Sequence, residues 1–193
     1  MPILGALMGF SLFFGFTPFS SGNVAVAQPV APVASGLPGY AVTLTAYNAV
    51  AAQTDSNPFE TASGAYSNPE VVAARSGNLT EKLPFGTIIE IDGSNASSDS
   101  CGFSLVKPLI GYRVIEDTMN PRYTNRIDVL LNTKDNFIRT DGQTMNAANI
   151  LGICKNVTVR VVGHVDINHI PKTQKELALL VEDGGGLALN TNQ

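Results

Sequence analysis

The residues best suited to do chemistry in this chain are two aspartates set about a turn. In Glu116-Asp-Thr-Met-Asn-Pro-Arg-Tyr-Thr-Asn-Arg-Ile-Asp128, one strand pattern ends in an acid, a polar turn follows, and a second acid sits inside the next strand pattern. Asp128 lies between Ile127 and Val129, whose side chains point to the opposite face of a strand from its own. A lone carboxylate there is costly unless it is paired, hydrogen-bonded or protonated. If it shares a cleft with Asp117, burial and like charge both raise its pKa, which keeps a carboxylic acid ready to donate a proton. The competing arrangement is structural: Asp117 caps the turn while Asp128 pairs with Arg122 or Arg126.

Other clusters promise less. His164-Val-Asp-Ile-Asn-His169 holds three potential ligands, but a strand aligns only positions 164 and 166, and no fourth ligand is evident, so no metal is expected. No cofactor motif stands out. The two cysteines, Cys101 and Cys154, either form a disulfide or remain two buried thiols, and both readings stay open. The basic residues are scattered in a chain of net charge −4, which argues against nucleic-acid binding.

The elements that must hold the two aspartates are short. Tyr40 to Tyr47, Thr87 to Ile91, Tyr112 to Glu116, Arg126 to Leu131 and Val157 to Val162 read as strands, bounded by Gly, Pro, Asn and Ser. In the last, Val157, Val159 and Val161 alternate with Thr158 and Arg160, as a half-buried strand requires. Thr144 to Leu151 reads as a helix closed by Gly152, and Thr173 to Glu182 as a second helix lying outside the barrel. Short strands with one or two brief helices predict an all-β fold, a small barrel rather than a βαβ array.

Charge is distributed unevenly: no Asp, Glu, Lys, Arg or His precedes Asp55. The mostly apolar stretch from Ile3 to Phe16, the polar Ser20 to Asn23 and the small-x-small Ala25-Val-Ala27 read as a signal peptide over 1–27, with an uncleaved anchor as the alternative. Residues 28–39, rich in Pro, Ala and Gly, read as a flexible linker. The barrel is expected over 40–165, followed by a C-terminal helix and mobile tail over 166–193. An apolar content of 44% with 15% charged residues suits one globular domain with a core of its own.

Five segments, taken in order, are similar to the pattern of the 3D domain, named for three aspartates. They are Thr45-Ala-Tyr47, Thr61-Ala-Ser-Gly64, Leu83-Pro-Phe-Gly-Thr87, Glu116-Asp-Thr118 and Asn125-Arg-Ile-Asp-Val129. That domain occurs in small stationary-phase lytic transglycosylases and at the catalytic end of membrane-bound lytic transglycosylase A. The resemblance implies a double-psi β-barrel with a peptidoglycan-binding groove. By position it makes Asp128 the catalytic acid/base and Asp117 its partner on the groove wall. It also places Thr45, Tyr47 and Thr61 along the groove. Asp55, on the segment that joins the first strand to Thr61, would either overhang that groove or form an ordinary Asx-turn. Asn120-Pro-Arg-Tyr123 would either offer Tyr123 for sugar stacking and Arg122 for a peptide-stem carboxylate, or form an ordinary solvated turn. The departure lies in Val71-Val-Ala-Ala-Arg-Ser-Gly77, where Arg75 stands at or beside the family's first aspartate and would be able to pair with Asp117.

The expectation that follows is an exported, monomeric, cofactor-free protein, periplasmic or at the cell wall, that cleaves MurNAc-GlcNAc bonds of peptidoglycan strands through Asp128. The alternatives are a non-catalytic wall-binding or wall-loosening module on the same barrel, and a structural domain with no glycan ligand.

Overall fold

The computed structural model describes residues 38–54 and 57–184. The expected signal peptide, most of the linker, Asp55 and the end of the tail lie outside the described residues. Among those described, six strands close into a barrel: β1 (Gly39–Tyr47), β2 (Val72–Arg75), β3 (Thr87–Asp92), β4 (Arg113–Thr118), β5 (Arg126–Leu130) and a long strand over Cys154–His164. A hairpin of β6 (Asn136–Ile138) and β7 (Thr144–Asn146) precedes that long strand, which is therefore β8. The barrel order is β1–β5–β2–β4–β3–β8. Two neighbouring pairs, β1 with β5 and β2 with β4, run parallel, and the other contacts are antiparallel. Closure pairs every barrel strand on both sides and leaves no open sheet edge. The expected small, mostly β barrel with few helices is what forms.

The interior is filled by side chains that alternate inward. Leu44, Ala73, Ile89, Ile115, Ile127, Val129, Val157 and Val159 are all buried in one cluster. A second cluster, containing Val72, Ile88, Val114 and Leu130, receives Leu177 from helix α3 (Gln174–Glu182). The Thr173 side chain and Glu176 form a reciprocal capping box that starts α3 where the sequence placed it.

Three local features differ from the sequence reading. Thr144 to Leu151 is not one helix: Thr144–Asn146 forms β7, and α2 begins only at Ala147. Asn146 divides them, because its side chain accepts from the Ala148 amide at 3.0 Å and caps α2. Helix α1 (Phe103–Ile110) was not foreseen, since it contains Pro108, whose missing amide falls in its last turn. Strand β2 was not foreseen on pattern either.

Cys101 and Cys154 form a disulfide that ties the segment before α1 to the start of β8, which settles the alternative left open above. At the other end of α1 a single buried cation anchors the helix. Arg113, 1% exposed, donates to the carbonyls of Ile110 (2.6 Å), Leu109 (2.5 Å), Pro69 (2.6 Å) and Leu130 (3.1 Å). Burial lowers its pKa to about 10, still far above neutrality, so it stays a full set of donors.

Candidate functional site

Four adjacent strands present one row of side chains. Thr45 of β1 is the register partner of Asp128 in β5, Asp128 pairs with Ala74 in β2, and Ala74 pairs with Asp117 in β4. The row depends on a bulge. Ala73 opposes Ile115 but Ala74 opposes Asp117, so β4 skips one residue there. Without the skip Glu116 would join the row and Asp117 would face the other side. Asp128 and Asp117 thus stand two strands apart, roughly 10 Å between backbones.

The start of β5 is pinned so that Asp128 is placed firmly. Asn125 takes a positive φ of 49°, its amide donates to Asn78 Oδ1 at 3.0 Å, and Asn78 Nδ2 donates back to Asn125 Oδ1 at 2.7 Å. The Arg126 amide donates to Ser76 Oγ at 3.0 Å, and the Ser76 amide to the Arg126 carbonyl at 3.0 Å. These bonds hold the turn against the loop after β2. The sign of φ suits Asn, which tolerates the left-handed region.

Asp128 is half-buried, and Thr45 Oγ1 donates to its Oδ1 at 2.9 Å. Burial raises the Asp128 pKa from 3.8 to about 6; Asp117 adds to the rise, while the Thr45 hydrogen bond and the Arg126 charge oppose it. It makes no ion pair with Arg122 or Arg126. The result is a carboxyl group that is substantially protonated in mildly acidic solution and ionised in alkali, suited to give and take one proton.

Asp117 is held by three donors. Tyr47 Oη donates to its Oδ2 at 2.9 Å, and the amides of Ala62 (3.0 Å) and Thr118 (2.8 Å) donate to its Oδ1. Burial, and the Asp117 charge after it, hold the Tyr47 phenol well above its usual range, so Tyr47 remains a donor. Among the described residues, Asp117 bonds the turn that follows it only through the adjacent Thr118 amide; it secures the loop over 61–65 instead, while lining the groove.

That loop is also held from behind. Ser63 Oγ donates to Glu116 Oε2 at 2.6 Å, and the Ser63 amide donates to the Glu116 carbonyl at 3.0 Å. Glu116 is wholly buried, its other carboxyl oxygen has no partner, and burial raises its pKa. Consecutive residues on β4 thus grip the loop from the two faces of the strand.

A groove of about 720 Å³ runs over this row, with Ala46, Tyr47, Ala74, Asp117, Arg122 and Asp128 among its lining. Thr45 supports Asp128 from the next strand. Tyr123 also lines the groove, but its ring lies under the guanidinium groups of Arg122 and Arg126, at 4.8 and 4.5 Å from its centroid. It therefore serves as a platform for the two arginines. Thr61 is displaced from the expected groove position: it is 5% exposed, and its hydroxyl contacts Ser63 Oγ and the Ala65 carbonyl inside the loop, leaving Ala62 to face the groove.

Arg75 does not pair with Asp117. Its Nε donates to the Leu83 carbonyl at 2.6 Å, its Nη1 to Thr80 Oγ1 at 2.8 Å, and it lies 5.0 Å from the centroid of Phe85. Strand alternation sends it to the far side of β2, so Ala74 occupies the row between the aspartates. Ala74 is the groove-lining position that residue type alone concealed. His169 bonds Asp166 at 3.1 Å, and no cluster of three or more His, Cys, Asp or Glu able to hold a metal ion occurs among the described residues.

In comparisons with known proteins, no family model matches the chain, and no curated protein matches it significantly.

Proposed function

We propose that this protein is an exported peptidoglycan-active barrel of the double-psi kind, which cleaves glycan strands lytically with Asp128 as its acid/base. The observation that carries the reading is the Asp128 carboxyl group: half-buried at the groove, hydrogen-bonded to Thr45, and with its pKa raised to about 6. The closed barrel with two parallel strand pairs is compatible with the double-psi form.

Lytic cleavage needs one such group. Asp128 protonates the glycosidic oxygen as the C1–O bond breaks. The carboxylate so formed then takes the proton of the C6 hydroxyl as that oxygen bonds to C1, leaving a 1,6-anhydro ring and a restored acid. No water is consumed, so neither a nucleophilic second carboxylate nor a base for water is required, in contrast to hydrolytic glycosidases. Asp117, with three donors on its two oxygens, fixes the groove wall and adds to the charge that raises Asp128.

Incubating the purified protein with peptidoglycan tests this. Release of 1,6-anhydromuramoyl products by wild type, abolished by Asp128→Asn, supports it; equal absence of products from both defeats the catalytic reading. One observation favours a second reading: Ala74 puts a methyl group where the resemblance expects a third carboxylate. A protein that pellets with cell walls yet releases nothing would be the glycan-binding module instead.

A further inference from the structure

We propose that Arg122, Tyr123 and Arg126 form a subsite for a carboxylate carried by the glycan, set immediately beside Asp128. The inference rests on the groove taking a glycan and goes further, since it assigns the charge that the ligand must carry and the residues that read it.

The two guanidinium groups are held in place without a counter-ion. Arg122 Nη2 donates to Tyr123 Oη at 2.8 Å and stacks on that ring, and Arg126 stacks on the same ring. Cation–π contact holds each cation through its face or tip while leaving N–H donors free. Among the described residues neither arginine makes an ion pair, although the chain carries net charge −4 and the ion pairs of other arginines are formed. Arg126 Nε, moreover, is buried and has no hydrogen-bond partner. Buried donors left unmatched are uncommon, and a guanidinium fork matches a carboxylate in two parallel hydrogen bonds.

Placement gives this cluster its consequence. Arg126 is two residues before Asp128 on β5 and so lies on the same face, while Arg122 and Tyr123 line the groove itself. The Arg126 charge bears directly on the Asp128 carboxyl. A ligand carboxylate seated on the arginines therefore sits next to the reacting group and fixes which sugar of a strand lies over Asp128. Glu60, Asp117 and, once ionised, Asp128 line the same groove and repel such a carboxylate, so only the end that carries the two guanidinium groups offers charge to offset them.

Two sources carry such a carboxylate: a lactyl ether on the sugar or the end of an attached peptide. The test is binding at low salt by calorimetry, using chitotetraose as the neutral probe, a tetrasaccharide alternating GlcNAc with peptide-free MurNAc, and the same tetrasaccharide bearing peptide stems. Wild type is expected to bind an acidic probe about tenfold or more tightly than chitotetraose, as charge-assisted hydrogen bonds imply. If the peptide-free acidic probe already shows the gain, the sugar carboxylate is the ligand; if only the stem-bearing probe does, it is the peptide's. Arg122→Gln with Arg126→Gln should bring the affinity for both acidic probes down to that for chitotetraose measured on the same variant. Because Arg126 is half-buried, Arg122→Gln alone, at an exposed position, serves as a second variant and should remove part of the gain. Equal binding of all three probes by wild type, or a preference that survives the double substitution, overturns the subsite while leaving the glycan groove standing. Failure of wild type to bind any of the probes overturns the glycan reading and the subsite with it.

Discussion

Replacing Asp128 by Asn should stabilise the fold at neutral pH, even though it is expected to end catalysis. The argument follows from linkage. In the unfolded chain an aspartate titrates near its ordinary value, whereas in the fold Asp128 titrates at about 6 rather than 3.8. Between those values the folded state binds more protons than the unfolded one, so stability falls as pH rises through that window. Below pH ~4 both states are protonated and no penalty exists; above pH ~6 the penalty is complete and constant. A separation of about 2 pH units corresponds to about 3 kcal/mol, and water reaching the open side of the groove reduces that to about 1–3 kcal/mol. The carbonyl oxygen of Asn still accepts the Thr45 hydroxyl, so the hydrogen bond that Asp128 makes at 2.9 Å is kept while the buried charge is removed. Urea unfolding of both proteins across pH 3 to 8 checks this. Wild type should lose stability relative to Asp128→Asn as pH rises, with the curves meeting near pH 3. A variant less stable than wild type at pH 7, or a difference that does not change with pH, would refute the reasoning.

Three further outcomes are expected. If the catalytic reading holds, kcat/KM should fall above pH ~6 as Asp128 ionises, and Thr45→Val, which removes a hydrogen bond that lowers the Asp128 pKa, should move that limb to higher pH; rate profiles of both proteins would show it, and an unmoved or downward-shifted limb would count against the role of Thr45. Ala74→Asp inserts a third carboxylate, at a position 3% exposed, between Asp117 and Asp128, so it should destabilise the fold by several kcal/mol at pH 7 and by much less at pH 4; chemical unfolding at the two pH values distinguishes this from a purely steric, pH-independent cost. Reducing the Cys101–Cys154 disulfide, which closes a loop of sequence separation 53, should lower stability by about 4 kcal/mol without altering the groove residues; calorimetry with and without reductant measures it, and an unchanged Tm would contradict the loop-entropy argument.

The alternation in Ile127-Asp-Val129 was enough to place Asp128 on the opposite face from the core, and the strand ending at Asp117 was equally plain. Which of Glu116 and Asp117 would reach the groove was not, because that depends on a bulge between β2 and β4, a long-range register that local periodicity does not encode. The same one-residue ambiguity put Arg75 where Ala74 belongs. Strand β2 itself was hidden by Ala73 and Ala74, which are weak strand formers locally but fit a crowded barrel interior. Helix α1 was masked by Pro108, and its anchor, Arg113, reads in sequence as an ordinary strand cation; only folding gathers four carbonyls about it. The pairing of Tyr123 with two arginines was half visible, since Arg122 adjoins it in sequence while Arg126 joins through the turn.

The most direct test is the titration of the Asp128 side-chain carboxyl carbon, followed by NMR in the folded protein and assigned through Asp128→Asn. A midpoint near 6, rising further in Thr45→Val, is the predicted result. A midpoint near 3.8, the ordinary aspartate value, would mean that the group is solvated like any surface acid, and the proton-transfer role assigned to it would have no physical basis.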